Sequence, residues 1–101
     1  MAKTVTDENF ETFVSKGVSL VDLYADWCGP CKQIAPIIDD LSTDYDQVGK
    51  MDVDENPETM RELGIRSIPT ILIYKDGVQV DRHVGMAQKV QLQDLIDKHL
   101  D

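Results

Sequence analysis

The chain has 101 residues, 42% apolar and 29% charged, so a single globular domain over residues 1–101 is expected, with a core that needs no metal or disulfide staple. Nineteen acidic against ten basic residues give a formal charge of −9, a surface that repels phosphate backbones and anionic bilayers, so neither nucleic acid nor membrane is expected as a partner. The opening Met1-Ala2-Lys3-Thr4-Val5-Thr6 has no apolar signal core and no later run could span a bilayer, which points to the cytoplasm.

Strands and helices alternate along the chain, the pattern of an α/β domain. Residues 3–5 read as a short first strand. Thr6 or Asp7 can cap a helix that carries Phe10, Phe13 and Val14 on one face and ends at Gly17. Val18 to Tyr24 is a nearly unbroken apolar run, as in a central strand covered on both faces, with Asp22 inside it. A long helix starts at the cysteines and runs to about Tyr45, with Ile34, Ile37, Ile38 and Leu41 at helical spacing and a kink expected at Pro36. Residues 48–53 read as a third strand. Asn56-Pro57 reads as a cap and first-position proline for a short helix closed by Gly64. Thr70 to Tyr74 is a strand, Asp76-Gly77 a hairpin turn, and Val78 to Val84 the returning strand. Residues 88–100 form a terminal helix with Leu92, Leu95, Ile96 and Leu100 on its apolar face.

Cys28 and Cys31 are the only cysteines. At the first turn of a helix their spacing puts both sulfurs on one side, within bonding reach. Closing so short a loop stabilises by only about 2 kcal/mol in the chain-entropy model. A staple would gain more from distant segments, so the spacing favours a bond that forms and breaks. Metal binding is the chemical rival, but zinc wants four ligands, and His83 and His99 have no finger-like spacing to the cysteines. An iron–sulfur cluster would need thiolates from a second chain. A metal site and an inert pair stay open beside the favoured redox reading.

Helix-end physics assigns the roles. At the N-terminus, unpaired N–H groups and the helix dipole favour a thiolate at Cys28. Cys31, one turn inside, is expected to be more buried and to keep its proton. Cys28 would attack a substrate disulfide, and Cys31 would then displace the substrate from the mixed disulfide. Asp22 has two readings: a strand-end charge that reaches solvent, or a buried functional carboxyl whose pKa burial raises. Lys50 reads as an ordinary strand lysine and Pro69 as a strand-start proline. Trp27, directly before the helix-start cysteine, reads as a rim residue rather than a core one.

Trp27 to Lys32 reads WCGPCK, Ile68-Pro69-Thr70 follows an Arg66-Ser67 turn, and Lys75-Asp76-Gly77 marks a hairpin. With the element order, these resemble the thioredoxin family from end to end. The resemblance implies a mixed five-stranded sheet with helices on both faces, in the order βαβαβαββα. It implies general reduction of protein disulfides by a monomer with no bound cofactor, using a redox-active Cys28–Cys31 disulfide. Electrons would come from NADPH through a thioredoxin reductase, and clients would include reductases and peroxidases that cycle through disulfides.

The resemblance also implies residue roles. Asp22 matches the family's buried acid behind the cysteines, acting through water as the base for Cys31, and Lys50 matches the lysine that tunes it. Ile68-Pro69 matches a cis-proline facing the cysteines, leaving the Ile68 backbone to pair with an extended substrate segment. Trp27, Gly29, Pro30, Val53, Ile68 and Gly85 would form an apolar docking patch. Taking the family's own Cys28 pKa of about 7 against about 8.5, the thiolate fraction at pH 7 rises about 16-fold. Lower basicity removes about 5-fold of nucleophilicity, for a net gain of about 3-fold. The chain departs from the common pattern at Tyr24, where phenylalanine or tryptophan is usual, at Gln33 and Ser67, and in a short link near residues 46–48.

Two other functions compete. Disulfide-forming oxidases and isomerases usually carry a histidine between the cysteines and an export signal, and this sequence shows neither. A binding subunit with dispensable redox chemistry would use the apolar patch around Trp27 and Pro30 alone.

Overall fold

The computed structural model describes residues 1–100; Asp101, the last residue of the expected domain, lies outside the described residues. In chain order the elements are β1 (Lys3–Thr4), α1 (Phe10–Val14), β2 (Val18–Tyr24), α2 (Gly29–Asp44), β3 (Val48–Asp52), α3 (Pro57–Leu63), β4 (Thr70–Lys75), β5 (Val78–Val84) and α4 (Lys89–Asp97). They build one five-stranded sheet in the order β1-β3-β2-β4-β5. β2 pairs parallel with β3 and antiparallel with β4, so the sheet is mixed and β2 is its centre.

Alternation along the central strands sets the two helical layers. Leu20, Ile71 and Ile73 face one way and meet Ile34, Ile38 and Leu41 of α2 with Leu92 and Ile96 of α4. Val21, Leu23, Leu72 and Tyr74 face the other way and meet Phe10 and Val14 of α1, with Met60 and Leu63 of α3 beside them. Each fully buried leucine or isoleucine contributes roughly 1.5–3 kcal/mol of transfer free energy, so the two clusters, rather than a crosslink, hold the sheet between its helices.

Local signals mostly act as expected. Asp76 and Gly77 take positive φ (50° and 87°) and turn β4 into β5, and Gly64 (φ 64°) ends α3. α2 runs unbroken through Pro36; the ring removes one main-chain donor at an exposed position, where water can serve the carbonyl left without a partner.

Two local expectations are corrected. Asn56 precedes α3 but makes no side-chain cap there; its Oδ1 instead accepts the Asp7 N–H at 2.8 Å. The Asp7 carboxylate, in exchange, accepts from the N–H groups of Thr59 (2.9 Å) and Glu58 (3.3 Å). Asp7 therefore serves α3 and not α1, whose entry is fixed by a reciprocal bond pair between Thr6 and Asn9. At the other end, α4 stops at Asp97 and Leu100 is 48% exposed, outside the apolar face. The chain tightens there through His99 N–H to Ile96 and Leu100 N–H to Asp97, while Asp81 of β5 holds Lys98 at 2.8 Å. α4 begins in a capping box between Gln88 and Gln91, a signal hidden by the rarity of glutamine at that position.

Gly49 marks the tightest packing. A methyl group there would lie 2.5 Å from Val5 Cγ2 and 2.9 Å from Phe13 Cζ. Val5 is β-branched and fully buried, so it cannot swing aside. Gly49→Ala should lower unfolding free energy by about 1–3 kcal/mol, the usual range for overpacking. Urea denaturation followed by circular dichroism measures it; an unchanged midpoint would mean that β1 and α1 yield more easily than this packing implies.

Candidate active site

β2 leads through Ala25, Asp26 and Trp27 into α2. β2 ends at Tyr24, and a turn closed by the Cys28 N–H on the Ala25 carbonyl at 3.1 Å leads into the helix. The backbone of Cys28 is extended (φ −88°, ψ 109°), so the residue occupies the N-cap, and its Sγ accepts the Cys31 N–H at 3.2 Å. Pro30 sits in the first turn, where a missing N–H costs nothing. Cys28 and Cys31 are disulfide-bonded, with Cα atoms 5.2 Å apart. A side chain at Gly29 would meet no atom within 4 Å, so this glycine leaves open space beside the bond instead of relieving a clash.

Both cysteines are buried alike, at 4% and 3% exposure, which corrects the expectation of a clearly deeper Cys31. The bond draws both sulfurs to one level. What separates them is their setting: Cys28 holds the cap position, and Cys31 lines a cavity of about 170 Å³ with Asp22 and Lys50.

Asp22 is buried at 3% exposure, which decides between its two readings. Its Oδ1 has no hydrogen-bond partner within the protein. Burial pushes its pKa from 3.8 up to about 7; the Lys50 ammonium opposes that rise and the Asp39 carboxylate adds to it. Lys50 is the direct register partner of Asp22 on β3, so both side chains leave the same face of the sheet, toward α2.

A second hollow, a groove of about 370 Å³, is lined by Trp27, Val53, Met60, Ile65, Arg66, Ser67 and Ile68. Trp27 stands 70% exposed at its rim, and its Nε1–H donates to Asp54 Oδ2 at 2.8 Å. Asp52 orders that turn by accepting the Asp54 and Glu55 N–H groups at 2.8 and 3.3 Å. The Ile68-Pro69 peptide is cis. Gly85 (φ 95°) donates its N–H to the Pro69 carbonyl at 2.8 Å, so Pro69 and Gly85 support each other and do not line the groove. His83 contacts the Met86 carbonyl and His99 faces Asp81, so neither histidine joins the cysteines.

Asp22, Cys31 and Lys50 thus meet at the cavity, and Trp27, Val53 and Ile68 at the groove. Sequence reasoning missed Met60 and Ile65, which carry the same apolar signal as core residues, and Arg66 and Ser67, which read only as a turn. It also missed Asp54, which fixes the tryptophan; within Asp52-Val53-Asp54-Glu55 that aspartate carries no local signal beyond that of a solvated charge.

A disulfide across the first turn of the helix that follows the central strand of this mixed sheet, beside an apolar groove, defines a dithiol–disulfide oxidoreductase. The family model described as Thioredoxin matches residues 1–98. Among curated proteins, the thioredoxins of Staphylococcus haemolyticus and Staphylococcus saprophyticus are each 50% identical over 99 residues, covering 95% of both chains. A solved mutant thioredoxin from Halobacterium salinarum superposes with a TM-score of 0.93 at 36% identity, over 99% of this chain and 91% of that one. The chain belongs to the thioredoxin family. It is a protein-disulfide oxidoreductase that reduces disulfides through dithiol–disulfide exchange. Among the described residues, no helix is long and apolar enough to cross a membrane.

The Asp22 carboxyl gives stability a pH dependence of definite sign. Its folded pKa lies above the ordinary 3.8, so the folded state holds the proton more tightly than the unfolded chain does. Its contribution is fully present below about pH 4 and is lost as pH rises through about 7, by roughly 4 kcal/mol in all. Asp22→Asn carries no charge and should stabilise the oxidised protein at pH 8 by up to that amount, with little gain at pH 4. Urea denaturation at the two pH values tests this; equal gains at both would contradict it.

Proposed function

We propose that this chain is a general disulfide reductase in which Cys28 attacks and Cys31 resolves. The observation that carries the reading is the unequal setting of the two sulfurs: Cys28 at the N-cap of α2, Cys31 against the cavity that holds Asp22. The Cys28 thiolate gains from the helix end and attacks a client disulfide, forming a mixed disulfide. Asp22, with a pKa near neutrality, takes the Cys31 proton through water. The Cys31 thiolate then attacks Cys28 Sγ, the Cys28–client bond breaks, and the client sulfur leaves reduced. Lys50 acts on Asp22, keeping part of its population ionised.

The groove around Trp27, Val53 and Ile68 suits an extended client segment. The Ile68 main chain beside cis-Pro69 would pair with it as in strand addition. Gly29, Pro30 and Gly85 complete the patch: Gly29 leaves open space at the first turn of α2, Pro30 is exposed beside it, and Gly85 holds Pro69. NADPH supplies the electrons through a thioredoxin reductase; clients are reductases and peroxidases that cycle through disulfides. The protein works as a single-domain monomer in the cytoplasm, a reading supported by its family and its −9 surface.

Cys31→Ser tests the assignment. Without the resolving thiol, clients should stay bonded to Cys28, and mass analysis of affinity-captured protein should find mixed disulfides at that residue. Turnover of a protein disulfide with NADPH and reductase should fall by at least about 100-fold. Clients trapped on Cys31 in the converse Cys28→Ser variant, and none on Cys28, would reverse the roles.

A further inference from the structure

Asn56 ends the turn from β3 to α3 without capping the helix, and it is buried, a place where a carboxamide needs a partner at each end. It has both: Oδ1 accepts the Asp7 N–H at 2.8 Å, and Nδ2 donates to the Asp52 carbonyl at 2.9 Å. One N–H and one C=O as partners fix which end of the amide is which. The side chain therefore closes the turn of Val53, Asp54 and Glu55 onto the last residue of β3 and anchors it to the link between β1 and α1.

That turn carries the partner of Trp27. The indole is largely exposed, so packing does little to hold the ring, and its one donor goes to Asp54 Oδ2. Asp54 is exposed as well and is held by its main chain, whose N–H donates to Asp52 Oδ1. A continuous series of residues thus links the Asp7 main chain through Asn56, Asp52 and Asp54 to the rim of the groove. Val53, the other residue of the turn in the groove wall, has a separate tie, its N–H to the Tyr24 carbonyl at 2.8 Å. Loss of the Asn56 side chain would therefore release Asp54 and the indole and leave Val53 in place.

We propose that Asn56 is a positioning residue for client docking: its carboxamide holds the β3–α3 turn so that Asp54 keeps the Trp27 indole in place at the mouth of the groove. This deepens the groove reading and rests on it. A freely turning indole would have to be ordered each time an extended segment docks, and an indole already fixed avoids that cost. Bond exchange stays with Cys28 and Cys31. Asn56 therefore acts on clients that have a chain to lay along the groove, and small disulfides do not feel it.

Asn56→Ala removes both bonds. Trp27 is the only tryptophan, so its indole N–H gives a single signal in a proton–nitrogen NMR spectrum. In the variant that signal should move toward its position in Asp54→Ala, where the indole has lost its acceptor. Reduced protein is then mixed with an excess of one of two probes, quenched in acid at intervals, and its oxidation followed by mass. One probe is a disulfide joining two unstructured peptides; the other is hydroxyethyl disulfide, which has no chain to dock. The rate constant with the peptide disulfide should fall about 5-fold, the net worth of a typical hydrogen bond, while that with hydroxyethyl disulfide stays within about twofold. Asp54→Ala should show the same selective loss, and adding Asn56→Ala to it should cost nothing further. Asn56→Asp keeps the size and the bond to Asp7 but, ionised, has no donor for Asp52; it should reproduce the selective loss, and it decides the question if the alanine variant does not fold. A wild-type indole signal and peptide rate in the folded variants, equal losses on both probes, or losses that add to that of Asp54→Ala overturn the positioning role. Trp27→Ala tests the groove itself. If it leaves the peptide rate unchanged, the groove reading falls and this role with it; if it lowers that rate and the Asn56 variants do not, the role of Asn56 falls alone.

Discussion

A carboxyl lies in the layer between the central strand and its longest helix, and much of the active site is arranged around it. Asp22 occupies a place on β2 between Leu20 and Tyr24 on the same face, and its burial raises its pKa to about 7. An unpaired charge in such a layer is costly, and the protein answers in two ways. Lys50 sits opposite on β3 and offsets part of the cost, and the first turns of α2 leave a cavity above the carboxyl where closer packing would have sealed it. The sheet order follows the same need: only a strand flanked on both sides, by β3 and β4, can place one residue so deep while carrying the chain on to the helix cap.

The strands and their order of appearance were legible in the sequence because their signals are local. Val18–Tyr24 and Val78–Val84 appear where apolar runs and the Asp76-Gly77 turn place them. The misplaced features depend on partners remote in sequence. Asn56 accepts the Asp7 N–H across 49 residues, and the Asp7 carboxylate in turn accepts the Glu58 and Thr59 N–H groups, so the cap of α3 comes from a residue remote in sequence. Leu100 follows helical spacing, yet the helix closes early where Asp81 on β5 binds Lys98. Gln88 caps α4 although glutamine is a poor local predictor of a cap.

The site divides the same way. The cysteine pair and its helix end could be read from six consecutive residues. The depth of Asp22 could not, because a strand-end carboxylate and a buried one look alike until the covering helix is in place. The groove was half legible: Trp27, Val53 and Ile68 were expected there, whereas Met60, Ile65 and Arg66 arrive from α3 and the turn after it. Asp54 illustrates the difficulty. Within a run of acidic residues it looks like solvated charge, and only the fold turns it toward the indole that it fixes.

The equal burial of the two sulfurs bears on where the rate is set. Had Cys31 been much deeper than Cys28, desolvation alone would have kept it protonated and made the pair asymmetric. In the oxidised protein the two differ by a single percentage point of exposure, so asymmetry has to come from neighbours: main-chain N–H groups at Cys28, the Asp22 carboxyl at Cys31. These neighbours differ in power. A helix end that lowers a thiol pKa gains thiolate but loses nucleophilicity, leaving about a 3-fold advantage. A positioned base with a pKa near 7 contributes about 100-fold or more in favourable cases. Under the proposed roles, the resolving step therefore gains most from the fold, and it is the step that needs the buried carboxyl, the cavity and the central strand together. That is a physical reason for this chain to retain an aspartate that costs stability at neutral pH, within a central strand buried along most of its length.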